Sequence, residues 1–172
     1  WPVLDLGHQP LVSTNQWSLD IKGDVTRPLS IDWDAFNNLP QSKINADIHC
    51  VTAWSLLNNV WEGVSARQLI AMVQPREATK HVIFHAHDGY RANVSMTRFA
   101  KENALLAHTW YGAPITREHG GPVRMVMPSL YVISGKAAAG AGSARSEPLI
   151  KRSRTLSCAT IVASPRVALA PV

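Results

Sequence analysis

Residues 47–55 read Asp47-Ile48-His49-Cys50-Val51-Thr52-Ala53-Trp54-Ser55, and this run contains one of the two cysteines in the 172-residue chain. The residues from 44 to 52 predict a strand that carries Cys50 at its C-terminal end. A thiolate in such a place is either a catalytic nucleophile or a soft metal ligand. Cys158 lies far away in a segment of different composition, so we expect no disulfide framework.

The residues alone leave two chemistries open for Cys50. A cysteine hydrolase would need a base, and the candidates are His119 and His85, because the adjacent His49 would point to the opposite side of a strand. A structural zinc site would need about four clustered nitrogen or sulfur ligands, and the chain has no Cys-x-x-Cys. His85 and His87 would share one strand face, but no further ligand is in register, which favours a surface pair.

A second run, residues 117–124, reads Arg117-Glu118-His119-Gly120-Gly121-Pro122-Val123-Arg124. Its two glycines allow the backbone to approach a bulky ligand closely. A histidine and an arginine on either side of the turn can converge on one anionic or heteroaromatic group. An ordinary turn with a surface arginine would explain the same residues, so the run alone does not decide between the two.

The positive charge of the chain is concentrated at one end. Residues 1–131 carry 11 basic and 11 acidic side chains, and residues 132–172 carry six and one, which accounts for the net charge of +5. This basic segment has no aromatic residue to stack on bases, and its charges are scattered, so we expect no nucleic-acid binding. No run approaches the roughly 18 apolar residues of a membrane span, and a soluble protein is expected.

Composition changes at the same point. Every Trp, Tyr, Phe and His lies at or before Tyr131, whereas residues 132–172 are rich in Ala, Ser, Arg, Val and Pro. Little large apolar surface is available there, which is typical of a linker or disordered segment. We therefore predict a folded domain over residues 1–131 and an atypical basic tail over residues 132–172.

Strand signals dominate the predicted domain. The alternation of Trp17–Gly23 predicts a half-buried strand, and further strands are predicted at 80–86 and 121–128. Helices are predicted at 32–39 with Asp32 as N-cap, at 65–73 with Ser65 as N-cap, and at 97–107. Strands outnumber helices without regular alternation, so we expect an α+β domain built on a mixed or antiparallel sheet.

Taken together, the motifs occur in an order that closely resembles the molybdopterin-dependent oxidoreductases of the sulfite oxidase family. The resemblance covers about residues 1–131 and is nearest to the small bacterial members. The matching residues, in order, are Trp17, Gly23, Arg27-Pro28-Leu29, Leu39-Pro40, Asp47-Ile48-His49-Cys50-Val51-Thr52, Trp61-Glu62-Gly63-Val64, Asp88-Gly89-Tyr90, Asn93, Leu105-Leu106-Ala107, Glu118-His119-Gly120-Gly121-Pro122-Val123-Arg124, Pro128 and Leu130-Tyr131.

The resemblance implies a sulfite-oxidase-like fold and a molybdenum-molybdopterin cofactor. In this family the metal is held by pterin dithiolene sulfurs, oxo groups and a single protein thiolate, and Cys50 matches that metal-binding and catalytic position. The other implied cofactor contacts are His119 and Arg124, with Thr52, Asn93 and His8 as further contacts. Three aromatic residues, Trp54, Trp61 and Tyr90, either line the route to the metal or belong to the core, and for Trp61 the core is favoured.

The implied reaction is oxygen-atom transfer at a small sulfur-centred substrate, either oxidation of sulfite or reduction of a sulfoxide. Many relatives have a basic residue three positions after the metal-binding cysteine, where this chain has Ala53, and this weakens the case for sulfite. The alternative is a catalytically inactive pterin-binding remnant of the same fold. Relatives also imply a haem electron-transfer partner, and the lack of a dimerisation domain implies a monomer.

The sequence departs from the family after Tyr131. Relatives typically continue with a Trp-Lys-Ser run that helps to bind the cofactor, whereas this chain reads Ser134-Gly135-Lys136-Ala137. These four residues can be encoded as TCT GGA AAA GCG, and that string read from its third base gives Trp-Lys-Ser. We hypothesise that the tail comes from a shifted reading frame. Resequencing the DNA tests this, because the hypothesis requires another frame that restores the family pattern.

Overall fold

A computed structural model describes residues 11–50, 54–87 and 91–128 in full, and residues 158–165 as backbone. Within these residues, strands outnumber helices, as predicted. The elements are β1 (Trp17–Gly23), β2 (Leu29–Asp32), α1 (Trp33–Asn37), β3 (Ser42–His49), β4 (Ser55–Ser65), α2 (Ala66–Val73), β5 (His81–His85), β6 (Arg91–Ser95), α3 (Met96–Phe99), β7 (Leu105–Trp110), β8 (Ala113–Pro114), β9 (Arg124–Val126) and β10 (Cys158–Pro165). None of the helices described in these ranges is long and apolar enough to span a membrane.

The first sheet has the strand order β2-β1-β10-β5-β6. Strand β1 pairs antiparallel with both β2 and β10, and β5 pairs antiparallel with β6. Strands β10 and β5 are parallel. One parallel pair among antiparallel pairs makes this a mixed sheet, as predicted. The chain is mostly sheet with short helices, and the finer α+β assignment stays a prediction.

The second sheet has the order β3-β4-β7-β8, with β9 paired to β7, and all of its pairs are antiparallel. The β3–β4 ladder shifts register between Ala46 and Ile48. At this bulge Asp47 accepts a hydrogen bond from the backbone N–H of Asn58 (2.7 Å). Because a bulge bends its strand, the end of β3 that leads to Cys50 is turned away from the line of its start.

Two hydrophobic clusters form the core. The larger one joins the first sheet to the helices, and its fully buried side chains include Trp17, Phe36, Leu69 and Phe84. The smaller one contains Ala46, Ile48, Trp61, Leu105, Ala107, Ile115 and Val126, and most of these residues lie on strands of the second sheet. Trp54 and Trp110 pack against the smaller cluster. Burial of large apolar surface is the main stabilising contribution to both.

Local signals in the sequence correctly placed two helix starts and one strand. Strand β1 has the predicted bounds. The Asp32 carboxylate accepts from the backbone N–H of Ala35, and the Ser65 hydroxyl accepts from that of Gln68, so both predicted N-caps are confirmed. The predicted strand at 44–52 corresponds to β3, with Cys50 directly after it. Strand β5 lies within 80–86, and β9 is a shorter strand within 121–128.

The helix predicted at 97–107 is wrong. Helix α3 ends at Phe99, and strand β7 begins at Leu105. The apolar residues Leu105, Leu106 and Ala107 fit either periodicity, but here they pair with β4 on one side and with β9 on the other. Hydrogen bonding to two neighbouring strands therefore outweighs the local helical pattern.

The tail is not only a linker. Its residues 158–165 form β10, which lies between β1 and β5 in the first sheet. β10 is aligned with β1 over seven positions, from Trp17 opposite Pro165 to Gly23 opposite Ala159. Composition hides this strand because its residues are small or β-branched and occur within a segment rich in Ala, Ser and Arg. The domain boundary at Tyr131 and the shifted reading frame stay predictions.

Candidate functional site

Cys50 directly follows strand β3 and is buried, with 5% of its surface exposed. Its backbone N–H donates to the carbonyl of Trp54 (2.9 Å), which closes the connection between β3 and β4. His49 is less buried than its two neighbours, and its Nδ1 lies 2.8 Å from the Ser55 hydroxyl. This alternation agrees with the prediction that His49 and Cys50 point to opposite sides of the strand.

The glycine-rich run forms a tight loop between β8 and β9. A 3-10 turn over Arg117–His119 is followed by Gly120 in the left-handed region (φ 90°), which suits glycine. The backbone N–H of Gly121 donates to the carbonyl of Thr116 (2.9 Å). A Cβ on Gly121 would lie 2.0 Å from the carbonyl oxygen of Ile115, so no side chain fits there without moving the backbone.

Arg124 begins β9 and is buried, with 7% of its surface exposed. Its guanidinium donates to the carbonyl oxygen of His119 (2.7 Å) and lies 5.7 Å from the centroid of the Trp61 ring. Burial lowers its pKa to about 10, because desolvation disfavours the charged form. Arg124 is therefore still a cation at neutral pH, in a place where an anionic ligand would offset its desolvation.

The His119 side chain is nearly buried, with 11% exposed. Its ring packs edge to face on Trp110, with 6.3 Å between the ring centroids. Its Nε2 lies 3.9 Å from a carboxylate oxygen of the exposed Glu118. An imidazole held in this way keeps a fixed orientation, so its nitrogens can serve as directed hydrogen-bonding groups.

The structure brings together some of the predicted site residues. The Arg124 guanidinium reaches the backbone carbonyl of His119, five residues before it in the chain, whereas convergence of the two side chains on one ligand stays a prediction. Cys50 directly follows a strand of the same sheet that contains β9. Asn93 is exposed on β6 of the other sheet, where it pairs with Ile83. Its cofactor role stays a prediction.

Other predicted residues differ in how far the structure describes them. Trp61 is fully buried in the smaller core cluster, as favoured, and Trp54 is partly buried against it. His8, Thr52 and Tyr90 lie outside the described residues. His85 ends β5, and His87 follows that strand instead of sharing its face with His85.

The donor set fits a metal complex that brings most of its own ligands. Among residues 11–50, 54–87 and 91–128, no group of three or more His, Cys, Asp and Glu side chains is arranged to hold a metal. Cys50 offers a single buried thiol, and Arg124 offers a buried cation at the end of the glycine-rich loop, against the His119 carbonyl and the Trp61 ring. These groups match one thiolate ligand together with contacts to an anionic, heteroaromatic cofactor.

Sequence reasoning missed the residues that connect β4 to the turn after β7. The side chain of Asn59, which is fully buried, accepts a hydrogen bond from the indole N–H of Trp110 (2.9 Å). Tyr111 donates its hydroxyl to the carbonyl of Asn58 (2.7 Å) and its backbone N–H to that of Val60 (2.9 Å). The only signal in the sequence is that Asn58-Asn59 interrupts an otherwise largely apolar stretch.

A cleft of about 300 Å³ shares Gly121 and Pro122 with the glycine-rich loop. Its other walls include Trp33, His108 and Arg117. Burial lowers the pKa of His108, and the nearby Glu62 partly opposes this effect. The two ring nitrogens of His108 lie near the amide oxygen of Gln41 (3.1 Å) and the hydroxyl of Thr109 (2.7 Å).

Comparison with known proteins identifies the domain. Residues 6–136 match the family model described as the oxidoreductase molybdopterin binding domain. The chain is 38% identical over 132 residues to the uncharacterized oxidoreductase YuiH of Bacillus subtilis (strain 168). This alignment covers 76% of this chain and 67% of YuiH.

The fold is similar to that of the sulfane dehydrogenase SoxCD from Paracoccus pantotrophus, with a TM-score of 0.64 and 19% identity. The match covers 72% of this chain and 36% of the SoxCD chain, so the chain spans about a third of that relative. Molybdenum-molybdopterin is the cofactor of this kind of domain. The chain therefore belongs to the sulfite oxidase family of molybdopterin-binding oxidoreductases, as its sequence motifs indicated.

Proposed function

We propose that this chain catalyses molybdenum-dependent oxygen-atom transfer at the sulfur of a small substrate, either sulfite or a sulfoxide. The observation that carries the proposal is the buried thiol of Cys50 in a molybdopterin-binding oxidoreductase domain whose glycine-rich loop holds the buried cation Arg124. A relative of the same fold is named a sulfane dehydrogenase, which supports a sulfur-centred substrate.

Each candidate residue has a role in this proposal. Cys50 is the metal ligand and the catalytic residue, because its thiolate would contact the reacting metal. Arg124 and His119 would bind the phosphate and the pterin, since one supplies a cation and the other a directed hydrogen-bonding ring. The further pterin contacts are Thr52, Asn93 and His8, which stand on the resemblance alone.

The bound cofactor would supply the two-electron redox chemistry and the transferable oxygen. The protein contributes position and surroundings. Burial of Cys50 limits the access of water and of dissolved oxidants to the thiolate, and the tight backbone at Gly121 keeps the loop that carries His119 and Arg124 in one conformation. The neutral Ala53 favours an uncharged sulfoxide over sulfite, because a doubly charged anion would gain less from a neutral neighbour than from a cation.

Partners follow from the same proposal. The reaction moves two electrons for each oxygen atom transferred, so the reduced or oxidised cofactor must exchange electrons with a second molecule. A haem electron-transfer protein is the proposed partner. We also propose that the chain acts as a monomer and does not bind nucleic acid. These statements concern whole-protein activity, and the chain spans 67% of YuiH and 36% of the SoxCD chain.

The first experiment measures molybdenum. The full chain is expressed in a host that makes the pterin cofactor, and elemental analysis compares wild type, Cys50→Ser and Cys158→Ser. The two variants carry the same substitution, one at the proposed ligand and one outside the family match at residues 6–136. We expect near-stoichiometric molybdenum in wild type and Cys158→Ser, and loss of the thiolate-to-metal absorption band in Cys50→Ser.

A folded wild-type protein without molybdenum would overturn the enzyme proposal and leave the inactive remnant of the same fold. If molybdenum is present, sulfite oxidation with ferricyanide and methionine sulfoxide reduction with a reduced viologen dye decide the substrate. The neutral residue Ala53 predicts faster turnover with the sulfoxide. Alkylation of Cys50 that abolished a hydrolytic activity in metal-free protein would instead support the cysteine hydrolase.

A further inference from the structure

Asn59 is a polar residue in the core, and its side chain connects two separate elements. None of its surface is exposed. Its amide nitrogen donates to the carbonyl of Leu56 (2.6 Å), and its amide oxygen accepts from the indole N–H of Trp110 (2.9 Å). Burial of an amide group costs desolvation free energy, which its hydrogen bonds offset. Because both ends of the Asn59 amide are hydrogen-bonded, these bonds specify one arrangement of the groups that they join.

One end of this connection leads to Cys50. Leu56 pairs with Ile48, and the next pair is Ser55 with His49. The hydrogen bond from the backbone of Cys50 to the Trp54 carbonyl comes directly after these pairs. Asn59 therefore holds the same end of the β3–β4 pair that carries the thiol.

The other end leads to the glycine-rich loop. The Trp110 ring packs edge to face on His119, and it lies 6.2 Å from the Trp61 ring, measured between centroids. Trp61 in turn supports the guanidinium of Arg124. Trp110 therefore contacts one proposed pterin-binding residue directly and reaches the other through one ring.

The residues next to Asn59 and Trp110, namely Asn58 and Tyr111, have strained backbone conformations that hydrogen bonds between them and their neighbours stabilise. Asn58 and Tyr111 both have positive φ angles (58° and 49°), which are uncommon for residues other than glycine and unusual for a bulky one. Tyr111 occupies a two-residue turn between β7 and β8, where asparagine is the usual first residue. Its hydrogen bonds to Asn58 and Val60 account for a tyrosine at that position.

We propose that Asn59 and Trp110 are positioning residues that hold the end of β3 carrying Cys50 in a fixed relation to the loop carrying His119 and Arg124. The thiolate and the pterin-binding groups must meet one rigid cofactor, so a change of either part relative to the other would misplace a ligand. The role of these residues toward the cofactor rests on the proposed function. The contacts that join Asn59 and Trp110 to the two parts of the site exist in the chain without cofactor.

The test uses the full chain in a Cys158→Ser background, purified without cofactor, so that Cys50 is its single thiol. The rate of Cys50 alkylation by iodoacetamide is measured in native buffer, and circular dichroism confirms folding. Trp110→Phe keeps an aromatic ring but removes the indole N–H. We expect about a tenfold increase in the Cys50 alkylation rate, the size expected when a buried hydrogen bond is lost.

Trp33→Phe is the matched control, because Trp33 is, like Trp110, a partly buried tryptophan, but it packs against the larger core cluster and against Trp17. It should leave the alkylation rate unchanged. An alkylation rate for Trp110→Phe within twofold of the control would overturn the proposal. The effect on the glycine-rich loop is measured by NMR. Asn59→Ala should shift the His119 imidazole signals through Trp110, which contacts both side chains.

The connection also predicts non-additive effects. Once Trp110→Phe has broken its hydrogen bond to Asn59, adding Asn59→Ala still removes the bond to the Leu56 carbonyl. The added substitution should therefore raise the Cys50 alkylation rate by a smaller factor than Asn59→Ala does alone, whereas fully additive effects would contradict the proposal. In cofactor-loaded protein, Trp110→Phe should shift the thiolate-to-metal absorption band. If the chain binds no molybdenum, the function proposed above fails, while the alkylation and NMR measurements still decide whether the connection exists.

Discussion

The guanidinium carbon of Arg124 lies 5.7 Å from the centroid of the Trp61 ring, and both side chains are buried. A cation over the face of an aromatic ring is stabilised by about 0.5–2 kcal/mol. This contact and the hydrogen bond to the His119 carbonyl offset part of the desolvation that lowers the pKa of Arg124. The part of the desolvation free energy that these contacts do not offset destabilises the cofactor-free fold, and such a loss of stability is common at sites that bind ligands.

Replacing Arg124 should therefore affect ligand binding more than folding. In Arg124→Met the lost hydrogen bond and the relieved desolvation oppose each other, so the free energy of unfolding of the cofactor-free chain should change by no more than about 1–2 kcal/mol. Molybdenum content should fall to a small fraction of wild type. Elemental analysis and urea unfolding measure both, with Arg117→Met as the control, because Arg117 is exposed in the same loop. Retention of full molybdenum content by Arg124→Met would refute the role of this cation.

His108 should make the fold sensitive to acid. Its pKa is lowered from 6.5 by burial, so between its unfolded and native pKa values the unfolded chain binds a proton that the native chain does not. The free energy of unfolding must then decrease as pH falls below about 6.5, and His108 makes no such contribution at higher pH. We expect His108→Gln to lose less stability than wild type between pH 7.5 and pH 5 in urea unfolding.

His85→Gln is the comparison for this measurement. The pKa of His85 is also lowered, first by burial and then by Arg91 and Lys22, but its surroundings are more open to solvent. The sign of its effect is the same, and screening by water should make the effect smaller. Identical pH profiles for wild type and His108→Gln would show that another group causes the acid sensitivity.

The glycine-rich loop can be tested by the same substitution at Gly121, within the loop, and at Gly112, in the turn between β7 and β8. An alanine Cβ at Gly121 would lie 2.0 Å from the Ile115 carbonyl oxygen, whereas a Cβ at Gly112 meets no atom within 4 Å. Gly112→Ala should cost only about 1–2 kcal/mol, because of its positive φ. Gly121→Ala should displace the loop and lower molybdenum content as well. Equal molybdenum content in the two variants would mean that the loop conformation does not matter for cofactor binding.

Strand β10 predicts that the basic tail is needed for folding. Ile161 lies opposite Ile21 of β1 and Phe84 of β5. Ile161→Pro removes a backbone donor in the middle of the sheet and should abolish the cooperative thermal transition seen by circular dichroism. Ala170→Pro, outside the strand, is the control. A chain of residues 1–131 that unfolds cooperatively by itself would instead support the boundary predicted from composition.

Local chemistry explains which elements the sequence could predict. Asp32 and Ser65 cap helices through hydrogen bonds that span three residues, and the alternation of β1 is visible within seven residues. The helix predicted at 97–107 is wrong because strands β4 and β9, which lie outside that segment, supply the pairing that makes Leu105–Trp110 a strand. Strand β10 depends in the same way on partners more than 70 residues away.

The site residues also differ in whether local sequence predicts them. The residues that flank Cys50 predict its position at the end of a strand, and the two glycines predict the turn across which the Arg124 guanidinium reaches the His119 carbonyl. Asn59 and Trp110 carried no recognisable motif, because their importance arises only when β4 and β7 pair. A contact between two strands contributes to function here without a signature in either one.

The central position of β10 also bears on how the protein is made. A ribosome releases β1, β2, β5 and β6 well before residues 158–165, so the emerging chain holds two halves of a sheet whose shared middle strand is still missing. Until then β1 and β5 each present an unpaired edge, the kind of surface that other chains can join. Completion of this sheet during synthesis must therefore wait until residues 158–165 have emerged, and for that interval the edges of β1 and β5 are open to pairing with other chains.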